Sequence, residues 1–431
     1  PFISGRNVHR IEFFVVSALE GIRRGKPYHV AVASDMPRLS PAEAFEDFFK
    51  KQLTAPVGSD VYSEAKELLR ANNFKVSHID PKEAEIPIDA DALVWLQPRR
   101  PMEDMALALG NYLAYGGRAL VALQHYNIQQ RQYSGRGFQT VYWPQPQYMD
   151  LNQYLDKIGV SLAREVLMDR EQSSIDLEMQ INRLAVREYE DQAVAKPFLI
   201  RAIPPNFSQN STVTNNLGDL LFIWGNRFSI DENALSRVGL EFETLVYTSA
   251  KAWGFDWEGG FLAPEVLGEN AEPDYFGEPQ PLAVRISGAF PPVHMAVPEE
   301  KLEEKSNQEQ SGAEPVHVEP EIMVNPNAPP PEKGGEAVFV GCSEMFKNPH
   351  LREEGFHHGQ FLLNSVVYLA MGPGPVKLLE GRPVPKGFER PTEAEVLRMR
   401  ALVTGVPPAA ALLFGLVWFA LRSRKPRIAG R

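Results

Sequence analysis

Cysteine occurs once in 431 residues, at Cys342, so no disulfide can close within the chain. That is compatible with an oxidising compartment without demonstrating one. Basic residues are also short: 44 Lys and Arg stand against 55 Asp and Glu, a formal charge of −11. A nucleic-acid binder needs a basic footprint, so DNA and RNA are excluded as partners. No phosphate loop is present. Gly135 and Gly137 lack the spacing to a Lys-Ser/Thr pair that would cradle phosphates, so any ATP hydrolysis belongs to a partner. No G-x-S-x-G or G-x-C-x-G elbow is present either. Cys342 follows an apolar run, but Glu344 occupies a place where such a turn needs a small residue, and the thiol reads as buried and structural. His350, Glu353, Glu354, His357 and His358 do not have the H-E-x-x-H spacing of a zinc helix. They read as a solvated loop that leads into a helix. No catalytic residue, metal site or cofactor is therefore assigned.

Long hydrophobic runs are absent with one exception. Residues 401–421 carry no charge, and Arg422, Arg424, Lys425 and Arg427 follow at once. Twenty-one helical residues at 1.5 Å each span roughly 30 Å, the thickness of a hydrocarbon core. The run therefore reads as a transmembrane helix with a basic cytoplasmic tail at 422–431. Within the juxtamembrane stretch 376–400, residues 381–400 also carry five basic side chains, but Glu389, Glu393 and Glu395 dilute them. The expected location is a bacterial cytoplasmic membrane, with the body extracytoplasmic and the C-terminus cytoplasmic. The first residues of the sequence hold no apolar segment that could carry the body across, so an upstream membrane helix is expected.

The remaining composition is that of a folded exterior, with 44% hydrophobic residues. In residues 1–125, helical stripes alternate with short apolar strands. The stripes are Ile11, Phe14, Val15, Ala18, Leu19 and Ile22; then Val61, Ala65, Leu68 and Leu69; then Met102, Met105, Leu109, Tyr112 and Leu113. Strands are predicted at 28–33, 74–79, 92–96 and 119–123. This alternation predicts an α/β core with a mostly parallel sheet flanked by helices. Residues 126–148 hold six aromatics and six glutamines without helix or strand rhythm and read as a loop. Residues 149–298 read as a β-rich continuation, either a subdomain or an extension of the same sheet. Residues 299–333, with nine Glu and a triple proline, read as an acidic Pro-rich linker. Residues 334–375 supply a strand and an apolar helix that close the core.

Two groups of residues are candidates for binding. Arg99 and Arg100 follow one predicted strand and Gln124 and His125 another. The carboxyl ends of parallel strands form the crevice where ligands bind. Tyr133, Phe138, Tyr142 and Trp143, with amide and Arg neighbours, suit a protein or glycan interface, or else rings folded onto their own sheet.

Four stretches carry a family resemblance: residues 86–100, residues 115–123, residues 151–169 and residues 338–370, the last a strand, a VGCSEMF turn and a helix with Asn364. Their order, ahead of the terminal apolar run, resembles the GldG-like auxiliary component of ABC exporters, named for gliding motility. The resemblance implies a class I glutamine-amidotransferase-like core and a non-enzymatic, membrane-anchored role. It also implies an ABC permease, a separate ATPase subunit and envelope glycan or envelope proteins as partners. Cys342 departs from that family, where an acid stands in the turn. An anchored amidotransferase-like hydrolase and a glycan-binding envelope module are the alternatives.

Overall fold

The computed structural model describes residues 10–34, 60–79, 83–96, 103–134, 138–147, 151–172, 196–269, 272–296, 321–324 and 334–379. Chain contacts divide the molecule after Gly381, and every described residue belongs to the first unit.

The central sheet has seven strands. They are β1 (His29–Ala33), β2 (Lys75–Ile79), β3 (Ala92–Leu96), β4 (Arg118–Ala122), β12 (Leu240–Tyr247), β14 (Pro281–Gly288) and β17 (Gly335–Val340). Their order is β12-β14-β17-β4-β3-β1-β2. The pairings β1–β2, β1–β3, β3–β4 and β4–β17 are parallel, and β17–β14 and β14–β12 are antiparallel. The mostly parallel α/β core expected from the alternation is therefore present. The strands β1 and β3 are buried at every position because both faces of the sheet are covered.

One face carries Val30, Val32, Val94, Leu120 and Val338 under α1 (Ile11–Arg24), α2 (Ser63–Ala71), α7 (His358–Met371) and α8 (Pro373–Leu379). The other carries Ala31, Leu93, Trp95, Val121 and Phe339 under α3 (Glu103–Ala114) and α4 (Leu151–Lys157). Alternation at period two sends successive side chains into the two layers.

Three expectations are corrected here. First, α1 forms and ends at Gly25 in the left-handed region (φ 73°), but it buries Phe13, Phe14 and Ser17. Ile11, Val15, Leu19 and Ile22 of the predicted core stripe are exposed. Phe14 is the one residue of that stripe that is buried, and the buried face is turned from it toward Phe13 and Ser17. Second, the segment read as a loop at 126–148 contains an antiparallel hairpin, β5 (Tyr126–Ser134) with β6 (Phe138–Pro146). Its glutamines alternate with the aromatics in the register, Gln129 opposite Trp143 and Gln130 opposite Tyr142, so apolar alternation could not reveal it. Third, the stretch read as a linker contributes β16 (Glu321–Val324), paired with β15 (Val293–Ala296), and Ile322 is buried.

Part of the β-rich portion is an extension of the same sheet. Strands β12 and β14 extend the main sheet. The others make two-stranded pairs: β7 (Val160–Leu162) with β11 (Phe228–Ile230), β8 (Val166–Asp169) with β13 (Ala252–Phe255), and β9 (Leu199–Ala202) with β10 (Leu220–Ile223). The short helices α5 (Glu232–Arg237) and α6 (Asn348–Leu351) complete the set. Among the described residues no helix is long and apolar enough to cross a membrane. The expected anchor at 401–421 and its tail lie outside them.

Candidate functional site at the carboxyl ends of the central strands

Strands β4 and β17 lie side by side and end together, Leu123 N–H donating to Val340 O at 2.9 Å. Beyond them the chain turns at Gly341-Cys-Ser-Glu344 on one side and at Gln124-His125 on the other. The Gln124 amide oxygen accepts from the N–H groups of Ser343 and Glu344, both at 2.9 Å, and from the Ser343 hydroxyl at 3.1 Å. Its amide nitrogen donates to Tyr126 O and Asn127 Oδ1. Two successive backbone donors after a strand are what an oxyanion hole uses. Here the chain's own glutamine fills them.

The Cys342 thiol points the other way. It is fully buried and donates to Ile223 O at 3.3 Å. Burial, with Glu344 adding to it, pushes its pKa up to about 12, so the thiolate is scarce at neutral pH.

His125 is equally committed. Its backbone N–H donates to Asn226 Oδ1 at 2.9 Å and its ring Nε2 meets Leu162 O at 2.9 Å. Burial holds its pKa below the ordinary histidine range. Asn226 is the hub of this region. Its amide donates to Ala163 O and Glu165 O, both at 3.1 Å, and its backbone N–H reaches Gly341 O at 2.7 Å. One asparagine thus joins the turn after β4, the turn after β17 and the β7–β8 connection. Asn152 does similar work, accepting from Leu162 N–H at 3.2 Å. Sequence reasoning missed both asparagines. A single polar residue between apolar runs carries no periodic signal, and the only local hint is the preceding Trp224-Gly225 turn.

Arg99 and Arg100 lie outside the described residues. The structure therefore brings Gln124 and His125 together at one edge, with their hydrogen-bonding groups engaged internally.

The hairpin rises from this same edge. Tyr142 is buried, with its ring 4.9 Å from that of Phe198 in an edge-on pair, and its carbonyl accepts from Leu262 N–H at 2.7 Å. Tyr126 packs edge-on against Trp257 at 5.8 Å. Tyr142 pairs with Gln130 and Trp143 with Gln129, so Trp143 lies on the opposite face and is half-buried. In the backbone register Tyr133 pairs with Gln139 and Phe138 with Ser134, at the far end of the hairpin.

The histidine segment is not a solvated loop throughout. His357 is exposed, but His350 and His358 are buried. His358 accepts from Leu221 N–H at 2.9 Å through Nε2 and holds His350 O at 2.7 Å through Nδ1. Nδ1 thus carries the proton, and burial lowers the pKa to about 4. Among the described residues no group of three or more His, Cys, Asp or Glu is placed to hold a metal ion.

No curated protein matches the chain. A family model described as an ABC-type uncharacterized transport system matches residues 39–362, which takes in every strand of the central sheet except β1. Over that span the chain belongs to the auxiliary family of the ABC-type uncharacterized transport system.

Proposed function

We propose that this protein is a non-enzymatic, membrane-anchored extracytoplasmic component of an ABC-type export system, of the GldG-like kind. Residues 401–421 would hold it in the cytoplasmic membrane, with residues 422–431 in the cytoplasm. It would act by contact with the permease, and the separate ATPase would supply the energy. The family match carries this reading. The edge of the sheet supports it, because the positions where hydrolytic chemistry would sit are occupied by internal hydrogen bonds. The proposed contact surface is the outer end of the β5–β6 hairpin with Tyr133, Phe138 and Trp143, buttressed by Tyr142. Arg99 and Arg100, which follow β3, are proposed to face the same partner or an envelope glycan. The test is co-purification of the tagged full chain from mild detergent. The permease and the ATPase should be recovered with it. Recovery of the chain alone, under conditions where permease and ATPase stay bound to each other, sinks the reading.

A further inference from the structure

Four histidines are buried among the described residues: His29, His125, His350 and His358. His358 and His125 use their rings to hold backbone groups, and the His350 Nδ1 is buried without a partner. His29, the first residue of β1, is bonded differently. Its Nε2 lies 2.7 Å from Ser77 Oγ on β2, and its Nδ1 lies 3.0 Å from Asp89 Oδ1, just ahead of β3. A hydroxyl, an imidazole and a carboxylate are thus joined in series. The distances are those between a nucleophile, its base and the group that orients the base.

The parallel register brings the three together. Lys75 lies opposite His29 and Ser77 opposite Ala31, so Ser77 and His29 share a face of the sheet. The chain then returns before β3 to the start of β1, where Asp91 Oδ2 accepts the His29 backbone N–H at 2.8 Å. Lys75 Nζ stands 3.6 Å from Oδ2 of Asp89, which leaves Oδ1 to His29. A carboxylate only accepts, so Nδ1 carries the proton and donates to Asp89. Nε2 is then the bare nitrogen, and the Ser77 hydroxyl donates to it. Asp89 therefore fixes the tautomer that makes His29 a base toward Ser77.

Burial limits what this base can do. The imidazole is 3% exposed and the Asp89 carboxylate 46%. Ser77 is partly exposed on β2, which ends the sheet among the described residues. A reagent therefore meets the hydroxyl first, with the base behind it. Proton transfer from Oγ to Nε2 needs no access from outside. Hydrolysis of an acylated Ser77 does, because a water must reach Nε2 to be activated. A leaving group that needs a proton meets the same barrier. The arrangement suits one acyl transfer, from an ester whose leaving group departs as an anion.

We infer that Ser77 is a covalent acylation site, with His29 as its general base and Asp89 as the positioning residue, and that it takes an acyl group from an activated carboxylic ester, an aryl ester or a thioester. Ser77 Oγ attacks the carbonyl carbon as its proton passes to His29 Nε2. The Oγ–C bond forms, and the C–O or C–S bond breaks with its electron pair leaving on the phenolate or thiolate. The imidazolium is held by Asp89, and its extra proton leaves to solvent on that exposed side. The inference does not rest on the transport reading, and one acyl group per chain involves no turnover.

The test uses the full chain in mild detergent and an alkyl fluorophosphonate, which forms an Oγ–P bond and releases fluoride. Peptide mass should place one adduct per chain on Ser77, and Ser77→Ala should remove it. p-Nitrophenyl acetate should release about one equivalent of p-nitrophenolate in a burst and then stop. Asp89→Asn, at a half-exposed position, leaves the interior intact and frees the other tautomer. Labelling should then slow roughly 100-fold or more at an unchanged melting temperature, and Asp89→Glu should recover part of the rate. A merely structural carboxylate would move the melting temperature and not the rate. A native chain that stays unlabelled overturns the inference, as does an adduct on another residue. So does an Asp89→Asn variant that folds and is labelled at the wild-type rate. Continuous release of p-nitrophenolate that Ser77→Ala abolishes means turnover, and overturns a retained acyl group as the end state.

Discussion

At the scale of single residues, the edge of the sheet is held by groups that leave no slack. A β-carbon on Gly341 would stand 2.0 Å from the backbone oxygen of Asn226, and backbone cannot rotate away as a side chain can. Gly341→Ala should cost about 3 kcal/mol or more in chemical denaturation, the upper range for overpacking. Loss of less than 1 kcal/mol would mean the two turns are not in contact. Cys342 should react slowly with a thiol reagent in the native protein and fast once unfolded, because only the exposed thiolate attacks. Fast native labelling would reopen the hydrolase alternative. His358 supplies a pH dependence. Its folded pKa, about 4, lies below the ordinary histidine value near 6.5. The unfolded chain therefore binds more protons between those values. Stability is complete above about pH 6.5 and is lost as pH falls toward 4, by up to about 3 kcal/mol. Denaturation at a series of pH values should show that slope, and His358→Gln should flatten it. An unchanged slope in the variant would place the titration elsewhere.

At the scale of elements, legibility followed the kind of periodicity each segment carries. Helices α2, α3, α4 and α7 and strands β1, β3 and β4 were readable because their apolar residues recur at 3.6 or form short apolar runs, and β2 because Phe74, Val76 and Ile79 stand between turn signals. The β5–β6 hairpin was not. Its buried face is built of Tyr126, Ile128, Tyr142 and Pro144 among glutamines, so half of the expected apolar signal is missing. In α1 the helix was legible and its buried face was not, since apolar residues run right round its start and Phe14 adjoins both the aliphatic line and Phe13. The small strand β16 was hidden by acidic, proline-rich flanks. Yet Ile322 is 1% exposed within the layer formed with α4 and β15. Ile322→Ala should therefore cost about 2–4 kcal/mol. A neutral substitution would return the whole of residues 299–333 to the role of a spacer.

At the scale of the whole molecule, β17 decides the architecture. It lies between β4 and β14 although more than two hundred residues separate it from β4 in sequence. The parallel half of the sheet and its antiparallel extension are therefore joined only when the last strand is in place, and truncation before Gly335 should leave a chain that does not fold cooperatively. A truncated chain with a sharp unfolding transition would show that the first half stands alone. The proposed orientation has its own test. A reporter active only in the cytoplasm, fused after Arg431, should give signal, because the tail is basic and free of acids. Silence there, with signal from a fusion within the body, reverses the topology.

Composition and order of residues alone determined the α/β class, most of the sheet strands, the acidic character of the chain and the absence of a nucleophile elbow. These are local properties, set by which neighbours along the chain share a face or a charge. Tertiary structure alone decided that Gln124 fills the backbone donors after β17, that Asn226 joins three turns, and that α1 turns its aliphatic line to solvent. Gln124 lies 219 positions from Ser343 and Asn226 lies 101 from His125. A hydrogen bond between such residues depends on where the sheet carries them, and no spacing along the chain records it.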